Sequence, residues 1–82
     1  MNTDLLTTIE DDLIAMIVEE VTYGEPVAPE TDLLLTGLVD SVGVIRIVTW
    51  LEDHLDMRID PGDVVLDNFQ TVAQMVTYVR SR

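Results

Sequence analysis

Apolar residues recur at three- and four-residue steps in three separate stretches of this chain, and nowhere do they alternate over a useful length. A helix turns by about 100° per residue, so such steps put apolar side chains on one face; a strand needs a two-residue repeat. The first stretch lies between Asn2 and Val21 and carries Leu5, Leu6, Ile9, Leu13, Met16 and Ile17. The second runs from Ser41 to about Leu55, with Val44, Ile47, Val48, Leu51 and Leu55, and the last carries Val72, Met75, Val76 and Val79. Amphipathic helices bury these faces against one another, so the expected fold is all-α: a small, mostly antiparallel bundle of three main helices plus one short helix. A chain of 82 residues with 48% hydrophobic content is expected to form a single domain, residues 1–82, near the lower size that builds a core without staples.

Local signals divide the stripes. Asn2, Thr3, Thr7 and Thr8 are all candidate caps for the first helix, and Thr7 with Glu10 or Thr8 with Asp11 has the spacing of a capping box. Ile14 and Val18 lie off the stripe, where they can meet another helix. From Tyr23 to Gly37 the chain carries Gly24, Pro26 and Pro29, which a helix cannot run through. A loop this long needs apolar pins, and Leu33, Leu34 and Leu35 are the expected ones, with Asp32 capping a turn. Asp60-Pro61-Gly62-Asp63 reads as a cap followed by Pro at the first helical position, opening a short helix through Val64-Val65-Leu66. Thr71 and Gln74 form a capping box for the last helix, and Arg80 and Arg82 suit its carboxyl end.

Sixteen acidic residues against four basic ones give a formal net charge of −12. Such a surface repels phosphate backbones and anionic lipid, so nucleic acid and membrane partners are not expected and basic protein partners are favoured. No stretch approaches membrane-spanning length, the amino terminus is acidic where a secretory signal is basic, and there is no Cys. A soluble, cytoplasmic monomer is the expectation. The acidic stretch from Asp53 to Asp63 lacks the alternation and glycine placement of a calcium loop, so no metal site is expected. An enzyme is not expected either. The only His, His54, lies about 20 Å of helical rise from Ser41, beyond the reach of a shared proton, and the chain has no Lys.

One stretch is left over by these structural readings: Thr36-Gly37-Leu38-Val39-Asp40-Ser41-Val42-Gly43-Val44-Ile45. Asp40 and Ser41 are both good N-cap residues, so a helix begins at or just after them, with the Ser41 hydroxyl near its exposed amino end. Free backbone N–H groups and a partial positive charge there suit a phosphate ester. Val42, Ile45 and Thr49 share a face away from the core stripe and cannot be fully buried in so small a protein. Gly43 costs about 1 kcal/mol of helix propensity relative to Ala, unless close approach by a partner or a neighbouring element requires it. Trp50, the single Trp, is expected to cover the core edge.

Gly37-Leu38-Val39-Asp40-Ser41-Val42 resembles the attachment site of acyl and peptidyl carrier proteins, whose pattern is Gly, one or two residues, Asp-Ser and an apolar-rich helix. Thr8-Ile9-Glu10-Asp11-Asp12 looks like that family's first helix, and Asp67-Asn68-Phe69-Gln70-Thr71-Val72 like the approach to its last. The resemblance implies a non-catalytic carrier with an acyl-carrier-like bundle. It puts a covalent 4′-phosphopantetheine arm, derived from CoA, on Ser41, with Asp40 as motif partner. It further implies a phosphopantetheinyl transferase, an acyl- or aminoacyl-activating ligase and downstream transferases or synthases as partners. The alternative is an unmodified acidic helical adaptor for basic partners, in which Asp40-Ser41 is an ordinary cap.

Subtype signals point two ways. Gly37-Leu38-Val39-Asp40-Ser41-Val42-Gly43 looks like stand-alone aminoacyl carriers, D-alanyl carriers among them, and Asp60 through Val72 like carriers of natural-product assembly lines; the span from Met1 to Arg82 fits a free-standing carrier. Fatty-acid carriers usually bear acidic residues along the helix after the serine. Here that region has Gly43, Val44 and Arg46, so docking is expected to be apolar, through Leu38, Val42 and Ile45, with Arg46 selecting among partners.

Overall fold

The computed structural model describes the backbone from Leu5 to Arg82 and the side chains from Ile9 onward. Four α-helices follow in order, α1 (Leu5–Glu20), α2 (Ser41–Leu55), α3 (Leu66–Phe69) and α4 (Val72–Arg80), with a 3₁₀ turn at Pro61–Asp63. No strand occurs among the described residues. The fold is therefore all-α, with three main helices and one short one. α1 packs against both α4 and α2, and α3 packs against α4.

Among the described side chains, the most buried core residues follow the periodicity; those of Leu5 and Leu6 lie outside the described ones. Leu13 and Ile17 of α1, Ile47 and Leu51 of α2, and Val72 and Met75 of α4 are buried, joined by Leu33 from the long loop and Phe69 from α3. Ile14, Val18, Val44, Val48, Trp50, Leu55 and Val76 are half-buried against this cluster. Thr71 and Gln74 make both bonds of the capping box: the Gln74 N–H donates to Thr71 Oγ1 at 3.1 Å and the Thr71 N–H to Gln74 Oε1 at 3.2 Å.

Three expectations are corrected. α1 includes Thr7 and Thr8, so neither caps it; within a continuing helix the N–H groups such a box would serve belong to the intrahelical ladder. The candidates Asn2 and Thr3 lie outside the described residues. Leu35 is no pin, being 71% exposed. The Asp32 carboxylate accepts from the Leu34 and Leu35 N–H groups at 3.1 and 2.9 Å, and the turn this closes fans successive side chains apart, so that Leu33 is buried, Leu34 half-buried and Leu35 outside. Val27 and Val39 supply the other pins.

The short helix expected through Val64-Val65-Leu66 is also displaced. Asp60 caps the 3₁₀ turn, accepting from the Gly62 N–H at 2.8 Å, but the turn closes at Val64 and the backbone extends at Val65 (φ −129°, ψ 165°). Two adjacent β-branched residues favour that extension, and α3 starts only at Leu66. Tyr78 is a core residue outside the stripe read from the sequence. Its ring is buried and tilted against Phe69 at 5.8 Å, and its hydroxyl donates to Asp63 Oδ2 at 2.7 Å. Burial, then the Asp63 bond, push the Tyr78 hydroxyl above its ordinary pKa. Two carboxylates of the Asp53–Asp63 stretch thus have structural uses, Asp60 as a cap and Asp63 as an anchor for α4, while the Asp56 backbone ends α2 in a left-handed conformation (φ 51°).

Candidate functional site

The loop before α2 is built from its backbone outward. α1 ends with Tyr23 and Gly24 both at positive φ, 52° and 104°, and the Gly24 N–H returns to the Val18 carbonyl at 2.7 Å. The chain then crosses the α3–α4 corner, where the Ala73 N–H donates to the Pro29 carbonyl at 2.9 Å and the Leu33 N–H to the Gln70 carbonyl at 2.8 Å. A Val39 N–H to Leu33 carbonyl bond of 2.9 Å closes the remaining loop, with Gly37 at its turn (φ 77°).

Asp40 is the cap of α2. Its backbone is extended and its carboxylate accepts from the Gly43 N–H at 2.9 Å. Ser41 is the first helical residue and is exposed; among the described residues, nothing hydrogen-bonds its hydroxyl. The Ser41 and Val42 N–H groups have no acceptor among the described residues either, so this helix end keeps its bias toward anions.

Gly43 explains how closely this end approaches the rest of the fold. A β-carbon at 43 would lie 2.8 Å from Val39 Cγ1 and 2.9 Å from Val21 Cγ1. The close neighbour is therefore internal: the end of α1 and the loop press on the first turn of α2. Beyond it, Val42 and Ile45 are 63% and 65% exposed, whereas Leu38 is half-buried against the core. Arg46 is exposed, with its guanidinium 3.9 Å from the Glu20 carboxylate. An exposed pair at that distance contributes little stability. A groove of about 310 Å³ opens beside the helix end, lined by Val21, Tyr23, Leu38, Val42 and Arg46 among others.

At the far end of α2, His54 stacks on Trp50 with ring centroids 4.3 Å apart, and its Nε2 lies 3.9 Å from Asp12 Oδ2. It belongs to the α1–α2 surface and not to the surroundings of Ser41. Asp32, read in the sequence only as a turn cap, also reaches across the fold: its second oxygen accepts from Gln70 Nε2 at 3.0 Å. The Gln70 amide, then the Leu35 N–H, hold the Asp32 carboxyl below its ordinary pKa. Its ionised form therefore favours the folded loop at neutral pH, a contribution that fades as pH falls through the lowered value.

The exposed Ser41 hydroxyl thus stands at a helix end whose first N–H groups favour anions, and the groove opens beside it, with the carboxylates of Glu20 and Asp40 also in its lining. Among the described residues, no helix is long and apolar enough to cross a membrane. A family model described as "Phosphopantetheine attachment site" matches residues 11–79, from α1 through most of α4. Among curated proteins, no relative matches the chain.

Proposed function

The chain belongs to the phosphopantetheine attachment-site family, and from that premise we propose that it is a carrier protein in which Ser41 bears the arm. Covalent attachment of 4′-phosphopantetheine is a property of the domain, and carrier domains of this kind are in general not themselves catalysts. The observation that carries the assignment to Ser41 is the exposed, unbonded hydroxyl at the first position of α2, inside the matched span, on a helix end fixed by Asp40 and Gly43. When attached, the arm supplies a thiol that takes an acyl or aminoacyl group as a thioester. The chain's own residues do the rest: Asp40 orients the helix end, the Ser41 and Val42 N–H groups favour the phosphate, and the apolar flank meets enzymes.

The partners of this reading are a phosphopantetheinyl transferase, an acyl- or aminoacyl-activating ligase and the transferases or synthases that take the cargo onward in a biosynthetic pathway. A cytoplasmic monomer fits the absence of Cys and the net charge of −12, which keeps copies apart. Incubation with CoA and a broad-specificity transferase tests the function: each chain should gain one arm and one reactive thiol, and a chain that gains neither is the acidic adaptor instead.

We further assign docking to Val42 and Ile45, with Leu38 at the edge and Arg46 as the selector of partner charge. Two large apolar side chains kept about two-thirds exposed beside one hydroxyl support this. Ile45→Asp should lower the kcat/KM of loading by the cognate ligase about tenfold or more, the loss of a central apolar contact. Arg46→Glu should change the association rate and its salt dependence more than the turnover. If both variants show a native circular dichroism spectrum and load with parental rate and affinity, the docking surface lies elsewhere.

A further inference from the structure

Gln70 sits at the corner between α3 and α4, yet both of its amide groups are used by the loop that leads to Ser41. Its backbone carbonyl accepts from the Leu33 N–H at 2.8 Å, and its side-chain Nε2 donates to Asp32 Oδ2 at 3.0 Å, 38 positions away in the chain. From Asp32 the bonding continues without a gap. The other carboxylate oxygen accepts from Leu34 and Leu35, and the Asp32 carbonyl accepts from the Thr36 hydroxyl at 2.6 Å. The Leu33 carbonyl accepts from Val39, the residue before the Asp40 cap. Both Asp32 and Gln70 are half-buried, so water competes only in part for this charge-assisted bond.

We propose that Gln70 is a positioning residue for the modification of Ser41: through Asp32 it holds the 32–40 loop in the one shape that presents Asp40-Ser41 to the modifying enzyme. The proposal rests on Ser41 being the attachment residue. It assigns Gln70 no contact with the arm or the enzyme. Loss of the clamp leaves the helices in place but lowers the fraction of chains whose loop is competent, and apparent affinity falls by that fraction. The effect belongs in KM, with kcat retained, because the competent chains react as before.

The test compares loading kinetics, read by intact mass with CoA and a phosphopantetheinyl transferase, for the parent, Gln70→Leu, Asp32→Ala, the double variant and Asp32→Asn. Amide hydrogen exchange is followed at Leu34, Leu35 and Val39. Gln70→Leu should keep its helical spectrum, exchange about tenfold faster at Leu34 and Leu35, and show a KM raised about three- to tenfold with kcat within about twofold. The double variant should be no worse than the poorer single, since both remove one interaction. Asp32→Asn should recover most of the parental KM, because an inverted Gln70 amide can accept from the new amide while Oδ1 still serves the turn. Tyr78→Phe removes the buried bond to Asp63, remote from the loop, and should lower the melting temperature without moving KM.

A parental KM in Gln70→Leu overturns the proposal whatever Asp32→Ala does, as does an equal KM rise in Tyr78→Phe, which would make the effect one of stability alone. A parent chain that takes up no arm overturns the attachment reading and this proposal with it. A parent that loads on Ser41 beside variants of parental KM overturns this proposal only.

Discussion

A Ser41→Ala variant should take up no arm and keep its fold. The two halves of that result have separate physical causes. Asp40, not Ser41, caps α2, and among the described residues the Ser41 hydroxyl bonds to nothing, so its removal leaves no buried polar group unpaired. Alanine also has the higher helix propensity, by a few tenths of a kcal/mol, so the melting temperature should stay within a few degrees of the parent's. Arm uptake, by contrast, should drop from one per chain to none. The only other serine, Ser81, lies just beyond α4 and donates its hydroxyl to the Tyr78 carbonyl at 2.8 Å. Uptake that survives in Ser41→Ala would move the attachment away from α2 and remove the basis of the proposed function.

A Gly43→Val variant should be strongly destabilised even though glycine is the poorest ordinary helix former. The gain in propensity is at most about 1 kcal/mol. Against it stands a β-carbon 2.8 Å from a buried Val39 methyl and 2.9 Å from a Val21 methyl, with two further carbons still to be housed. Both neighbours are β-branched and stiff at χ1, so neither can rotate aside cheaply. Overpacking of this kind costs about 3 kcal/mol, which for a domain of this size lowers the melting temperature by about 12–24 °C. Because the strain acts between α1, the loop and the first turn of α2, arm uptake should fall as well. Thermal unfolding followed by circular dichroism checks the first effect; a variant that melts within a few degrees of the parent contradicts the close packing described around Gly43.

What could be read from the residues is what short-range periodicity and capping encode. The stripes of α1, α2 and α4, the Thr71–Gln74 box and the start of α2 each depend on residues within a turn or two of one another, so the order of side chains determines them. The exposure of Val42 and Ile45 follows from the same helical arithmetic. The missed features are tertiary. Gln70 looks like any polar residue before a capping threonine until the fold sets it against Asp32. Tyr78 lies off the apolar stripe because helical rotation sets it about 110° from the centre of that stripe, yet Asp63 supplies the partner that lets the ring be buried. Gly43 could be read as a close approach but not as an approach to Val39 and Val21. At Val64-Val65 the local capping signal pointed to a helix, and β-branching and closure of the 3₁₀ turn prevailed.

The central claim, that Ser41 carries the arm, is tested most directly on protein taken from its native host, by intact mass followed by fragmentation of the modified peptide. A single phosphopantetheine is expected on the peptide that contains Ser41, with any acyl or aminoacyl cargo attached through the thiol of the arm. Phosphopantetheine found on Ser81, or a native protein that carries no arm in any growth state, contradicts it.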